Sequence, residues 1–501
     1  MKAKELPMAT INRKPSVHGL RQAYRGWTVV LVLACLALCA CSAKPMLMPT
    51  PNLYRHPDFN PFAGVPPALQ GNRIQVLYVT DRAPEQDHER QQPAPDQVQY
   101  GHKRSRSTAF GVAELAIGDA QLSWEELAHE SRAATRNKQL ALSVTSTREL
   151  ARFAPTPPSL VIFGQGTAPA TPPPAVSAAD TEAEQRFLEQ LHAQLAKTPR
   201  KEVYLFIHGF NVGFQDSILT IGELWHFLGR EGVPMAYSWP AGEGLLRAYE
   251  YTNQSALFTI YHLKQTLRLL ASSPAVDKVH IIAHSRGTAV ATGAVRELHL
   301  EFGCTGADAR RLKLGTTVLA AADLDLDVVI EQDVTARVGE AVDAVAVYVF
   351  KGDRALAFSN VLSGGMMRLG DIHTDIFDPE EIAALRATRR LQFIDARITK
   401  PGPYGHSYFH ANPAVSSDLI LYLRYQLPPG GKDGRPLGSE DNGFWAIDEQ
   451  YPGSIDAPWF QAIQRQMPAM SENRSGASLL VAGGNECSRQ AAGDSAGSKA
   501  R

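Results

Sequence analysis

Residues 279–290 read VHIIAHSRGTAV. An apolar run ends in Ala283-His284-Ser285-Arg286-Gly287, and small residues follow at once. A short apolar run closed by a turn predicts a buried strand feeding sharply into a helix. Ser285 stands at the apex. The residues two positions to either side, Ala283 and Gly287, are both small, as a strained strand-to-helix turn demands when the helix packs close. Two readings of Ser285 follow: a nucleophile exposed on a sharp turn, or a serine serving as a loop residue or helix cap, a position serine favours.

The flanking sequence repeats the pattern. EVYLFIHGFN (202–211), VPMAYSWP (233–240), TTVLAAADLD (316–325), AVAVYVFKGD (344–353) and LQFIDARI (391–398) are strand-like. Helical segments alternate with them at 180–198, 253–272 and 287–302. In the first, Phe187, Leu188, Leu191 and Leu195 share one face. IQVLYVTDR (74–82) and STAFGVAELAIG (107–118) add two strands upstream. Strands that are apolar throughout, alternating with helices, predict the α/β class: a mostly parallel, doubly wound sheet with helices on both faces. Sites in such sheets form at the carboxyl ends of strands, where Ser285 sits.

The bulk numbers are ordinary for a soluble globular chain: 501 residues, 44% hydrophobic, 20% charged. A net charge of −1 provides no field for nucleic acid, which is not expected as a partner. Cysteine is scarce, and Cys304 and Cys487 have no metal-type spacing. The N-terminus is basic, and WTVVLVLACLALCAC (27–41) follows, short for a span that needs about 20 residues and suited to a signal peptide. Leu38-Cys39-Ala40-Cys41 resembles a bacterial lipobox. That resemblance implies cleavage of 1–40, lipidation of Cys41, a membrane anchor and a place in the cell envelope. Ser42 after it implies the outer membrane, facing the periplasm. Residues 41–72 read as a Pro-rich tether. The folded domain is expected over 73–426, with loops near 83–107 and 155–180. A C-terminal extension follows at 427–470, then a disordered tail at 471–501.

The chemistry gathers at strand ends. Ile207-His208-Gly209-Phe210-Asn211 follows an apolar strand, and the glycine lets backbone approach a substrate. The Phe210 and Arg286 N–H groups are the candidate oxyanion donors. The base is expected on a late loop: His406, in PYGHSYF, is preferred over His410 and His373. The acid is expected at Asp353, with Asp323 and Asp325 as alternatives. The D-L-D-L-D spacing lacks the glycine turn of a calcium loop, and no metal or organic cofactor is expected. His208 and His284 read as structural. Asn211 and Trp239 are candidate pocket residues, Trp239 reading equally as a packing residue. Arg286 either steers an anionic substrate group or pairs structurally with an aspartate or a carbonyl.

Taken in order, HGFN, YSWPA (237–241), AHSRG (283–287), VLAAADLDLD (318–327), VYVFKGDRAL (347–356) and GHSYF (405–409) resemble one family. It is the bacterial α/β-hydrolase family with an H-G-F-N oxyanion motif, esterase/lipase-superfamily proteins of unknown function. Two departures stand out: Ala322-Asp323 where the family often has Pro-Asp, and Arg286 where it often has Met. The resemblance implies an α/β-hydrolase fold and a serine hydrolase, with a small-molecule ester or acyl substrate. The alternatives are a lipase or phospholipase, and a non-catalytic envelope lipoprotein that keeps the fold.

Overall fold

The computed structural model describes residues 44–453 and Trp459, apart from 58, 86–96, 156–177, 243, 245, 303–309, 373–376, 388–389 and 433. The expected signal segment, Cys41, most of the 155–180 loop and the 471–501 tail lie outside them. The chain divides after Pro45, and every element below belongs to the unit that starts at Met46.

Among the described residues eleven strands form one sheet: β1 (Arg73–Pro84), β2 (Tyr100–Ile117), β3 (Leu142–Arg152), β4 (Glu202–Ile207), β5 (Val233–Ser238), β6 (Lys278–His284), β7 (Leu314–Ala320), β8 (Val342–Val349), β9 (Leu391–Arg397), β10 (Gly438–Ser439) and β11 (Trp445–Asp448). Their order is β10-β11-β9-β8-β7-β6-β4-β5-β1-β2-β3. From β1 across to β11 every pairing is parallel. The antiparallel β2 and β3 extend one edge and β10 the other.

β4, β5 and β7 are buried at every position. The period of two divides each strand between two cores. Val203, Leu205 and Ile207 enter one core, Tyr204 and Phe206 the other. The helices that cover the sheet are α1 (Trp124–Glu130), α2 (Ala178–Leu195), α3 (Phe214–Phe227), α4 (Leu246–Ser272), α5 (Gly287–Phe302), α6 (Arg354–Leu362) and α7 (Pro413–Leu423). α3 and α7 fill one core. α2, α4 and α5 fill the other, with Phe187, Leu191 and Leu195 buried in it and Leu188 half-buried against it. Each such leucine or phenylalanine contributes about 1.5–3 kcal/mol by leaving water.

Strand order places the site. β4 runs on to β5 on one side, and β6 returns to the other side of β4. A crevice therefore opens at the carboxyl ends of β4 and β6, where ligands bind in doubly wound sheets. Ile207 pairs with Ala283 there, so His208-Gly209 and His284-Ser285 leave the sheet side by side.

Three expected boundaries are corrected. The segment read as a tether is, from Met46 onward, part of the body. Leu47, Met48, Leu53, Tyr54, Phe59, Phe62 and Val65 are buried in the α3/α7 core. The Leu47 N–H donates to Leu140 O at 2.8 Å. Proline there prevents regular structure but not packing of the large apolar residues between prolines. Both ends of the 83–107 stretch read as a loop are strand: β1 runs to Pro84 and β2 starts at Tyr100, paired at Arg82–Arg104 and Pro84–Tyr100. The residues of that stretch in β2 are mostly solvent-facing, which removes the apolar alternation that marks a strand. The domain also runs past 426: β11 pairs with β9, and Leu427, Leu437, Phe444, Ile447 and Tyr451 are buried. β3, an edge strand with few buried positions, lacks the apolar alternation too.

Candidate active site

Ser285 has φ 53°, a left-handed backbone that costs of order 1–3 kcal/mol for a non-glycine residue. Four hydrogen bonds hold it there. Its N–H donates to Ala320 O at 3.0 Å, and its carbonyl accepts from Asp323 N–H at 3.3 Å and Thr288 N–H at 3.1 Å. The Thr288 hydroxyl adds a bond at 2.6 Å. The Thr288 N–H is thus taken by the Ser285 carbonyl, and among the described residues no backbone N–H donates to the Ser285 hydroxyl.

Glycine makes the turn fit. A Cβ at Gly287 would lie 2.3 Å from His208 O and 2.5 Å from Ile207 O; one at Gly209 would lie 2.6 Å from the Ser285 Cβ. The His208-Gly209 turn and the start of α5 therefore pack backbone against backbone. Among the described residues neither the Phe210 nor the Arg286 N–H has a protein acceptor. Arg286 immediately precedes α5, where a helix N-terminus favours negative charge.

Asp353 ends the turn after β8 and caps α6. Its Oδ1 accepts from the Ala355 and Leu356 N–H groups, each at 3.0 Å. Its Oδ2 accepts from His406 Nδ1 at 2.7 Å. That bond places the imidazole proton on Nδ1 and leaves Nε2 as an acceptor. The His406 loop rests directly on the Asp353 turn: Gly405 has φ +71°, and a Cβ there would lie 2.7 Å from Gly352 O. Tyr408, fully buried, ties the loop down. Its hydroxyl donates to Tyr348 O at 2.7 Å and accepts from Ala321 N–H at 3.2 Å.

A serine on a strained turn, a histidine bonded to a buried carboxylate and two open amides stand at the carboxyl end of one parallel sheet, and His284, next to Ser285, bonds the His406 carbonyl at 3.0 Å. Residues 183–422 match the family model described as alpha/beta hydrolase of unknown function (DUF900). The chain has the α/β-hydrolase fold. The matched segment contains the HGFN turn, Ser285, Asp353 and His406. No curated protein matches the chain.

Around this α/β-hydrolase site the remaining candidates have settled partners. Asp323 Oδ2 pairs with Arg286 Nη2 at 2.8 Å; its Oδ1 accepts from the Ser359 hydroxyl at 2.6 Å and faces Arg368 Nε at 3.4 Å. Asp325 caps a short helix, accepting from the Asp327 N–H at 3.0 Å and the Val328 N–H at 3.3 Å. Of the three aspartates considered, Asp353 is the one in contact with His406. His410 pairs with Glu223 at 2.8 Å, and His373 lies outside the described residues. Asn211 is exposed with φ 54°, its side-chain oxygen accepting from Gly244 N–H at 3.2 Å.

The two motif histidines are structural. His284 Nε2 donates to His406 O at 3.0 Å. Burial, then the nearby His406, holds its pKa well below the usual value. His208 donates from Nδ1 to Gly209 O at 2.9 Å and accepts at Nε2 from the Trp239 N–H at 3.1 Å. Burial, reinforced by the Arg82 guanidinium, pushes its pKa down to about 3, so the ring is neutral. Trp239 stacks on it, the rings 5.3 Å apart and 6° from parallel, and its Nε1 donates to His208 O at 2.7 Å. Trp239 is fully buried, which corrects its candidacy as a pocket wall.

Sequence reasoning missed Tyr408 as a clamp, and Tyr249 and Arg368 as neighbours of the elbow. Tyr408 lies inside the quoted GHSYF stretch, but nothing local shows that its hydroxyl reaches the ends of β7 and β8.

Proposed function

We propose that this α/β hydrolase is a serine hydrolase acting on carboxylic esters through Ser285, His406 and Asp353. The observation that carries the reading is the Asp353–His406 bond at 2.7 Å, with the Asp353 carboxylate fixed by the α6 cap beside a strained serine turn. His406 Nε2 takes the proton as the Ser285 hydroxyl attacks the acyl carbon, and Asp353 stabilises the imidazolium. The Phe210 and Arg286 N–H groups receive the developing oxyanion, a contribution of roughly 3–4 kcal/mol per donor in comparable sites. Collapse expels the alcohol, protonated by His406. Water then cleaves the acyl-enzyme by the same route.

The test is hydrolysis of short-chain chromogenic esters by the wild-type chain and Ser285→Ala. Activity in the wild type and its loss by more than a thousandfold in the variant are expected; equal rates in both would sink the reading and favour a non-catalytic envelope protein. A second reading, a lipase, is favoured by one observation. Phe358, Val361 and Leu362 on α6 and Met366 and Met367 just after it are exposed, an unusual apolar surface beside a site. Faster hydrolysis of dispersed long-chain esters than of butyrate esters would select it.

We further propose that the enzyme is anchored in the envelope through lipid on Cys41, from the basic segment and the lipobox-like Leu38–Cys41. Labelled palmitate incorporated by the wild type and not by Cys41→Ala is the expected result; equal incorporation contradicts the anchor.

A further inference from the structure

Beside the elbow, two arginines converge on one carboxylate. Arg286 follows the nucleophile, and its Nη2 meets Asp323 Oδ2 at 2.8 Å and the Tyr249 hydroxyl at 3.2 Å. Arg368, only 4% exposed, approaches the other Asp323 oxygen at 3.4 Å and bonds the Ser363 hydroxyl. Among the described residues its Nε has no hydrogen-bond acceptor. The Ser359 hydroxyl takes the same Asp323 oxygen at 2.6 Å and also bonds Tyr249 at 3.0 Å. Two guanidinium groups thus share one carboxylate, and the other members are neutral. Asp325 pairs backbone to backbone with Arg368, but among the described residues neither its carboxylate nor that of Asp353 forms an ion pair with Arg286 or Arg368. Within direct contact the cluster therefore carries two cations to one anion, a set that a further anion would balance.

The cluster also touches the reacting centre. Asp323 donates its N–H to the Ser285 carbonyl at 3.3 Å, and the Tyr249 ring lies 6.2 Å from that of Phe210, a candidate oxyanion residue. The Arg286 side chain keeps 13% of its surface open. We infer that Arg286 and Arg368, sharing Asp323, form a subsite for a carboxylate carried by the substrate ester near its scissile carbonyl. Asp323 holds Arg286 in place while Arg368 supplies the second positive charge, so one cation is left for the substrate. This rests on the reading of Ser285 as nucleophile.

The test compares two esters of one alcohol: 4-nitrophenyl hydrogen adipate, which carries a carboxylate, and its neutral methyl ester. The wild type is expected to favour the acid in kcat/KM by tenfold or more, and the preference is expected to shrink as sodium chloride is raised, since salt screens partly exposed charge. Arg368→Gln is expected to cut the preference at least fivefold while the methyl ester changes by less than threefold. Equal hydrolysis of both esters by the wild type overturns the subsite and leaves the esterase reading standing. Equal loss on both esters in Arg368→Gln shows a structural role and overturns it too. Hydrolysis of neither ester overturns both. The salt series needs no variant, so a poorly folding Arg368→Gln leaves the wild-type preference and its salt dependence to decide.

Discussion

Asp353 uses its two carboxylate oxygens differently, and the division explains its position. Oδ1 is occupied by the first turn of α6, so Oδ2 can face only His406. A carboxylate fixed this way keeps the imidazole in one tautomer. Asp353→Asn retains the cap acceptor but loses the anion; kcat is expected to fall by roughly 10³–10⁴, the scale of losing the orienting acid in such triads. Asp325→Asn touches only a helix cap and is expected to change kcat less than threefold. Esterase kinetics on the two variants check this, and the reverse ranking would contradict the assignment. The turn at Ser285 and the Asp353–His406 contact were legible in the sequence because each residue sits in a short motif at or after a strand end. The partner of Arg286 was not. Arg286 and Asp323 are neighbours only because β6 and β7 pair, and the alternating aspartates of D-L-D-L-D look alike until the chain bends.

At the level of elements, the site is held by loops pinned to strand ends. Tyr408 joins the His406 loop to β7 and β8 through two hydrogen bonds of a buried hydroxyl. Tyr408→Phe removes both bonds while Ala321 N–H still donates to Tyr348 O at 3.3 Å, so the expected loss is about 0.5–1.5 kcal/mol in stability. Loosening of the loop is expected to lower kcat with KM little changed, since positioning acts on the chemical step. Chemical denaturation with steady-state kinetics measures both; unchanged kcat would contradict the clamp. The central strands were legible because burial on both faces makes them apolar throughout. β3 and the first half of β2 were not, since their partly exposed residues carry no such run.

For the whole molecule, the segments outside the central sheet are structural parts. Arg435, in a stretch that reads as turns, is fully buried and ion-paired with Asp418 of α7 at 2.5 Å. Tyr348 and Tyr451 complete the network at 2.7 and 2.6 Å. A chain ending at 426 would leave Asp418 buried without its cation, a loss of about 3–5 kcal/mol, and would expose β9. Its expected behaviour is an insoluble or unfolded product by circular dichroism; a folded, active product would contradict the corrected boundary. Composition hid this because a glycine- and proline-rich stretch can enclose a buried arginine as readily as it forms a surface turn.

The buried histidines set the acid side of stability. His208 and His284 are neutral when folded, while the unfolded chain protonates both below the ordinary value of 6.5. The unfolded state therefore binds more protons as pH falls below 6.5, and stability drops. Between pH 7 and 5 the loss is expected to be roughly 2 kcal/mol per histidine. Urea unfolding at the two pH values measures it, and an equal or higher stability at pH 5 would contradict the buried neutral rings.

If Ser285 is a nucleophile activated by His406, the folded protein reacts with a fluorophosphonate probe, and mass spectrometry locates the adduct. One adduct is expected, on the peptide containing Ser285, formed by the native chain and lost on unfolding or in His406→Ala. Absence of labelling in the native chain, or labelling at another serine with Ser285 unmodified, would contradict that role.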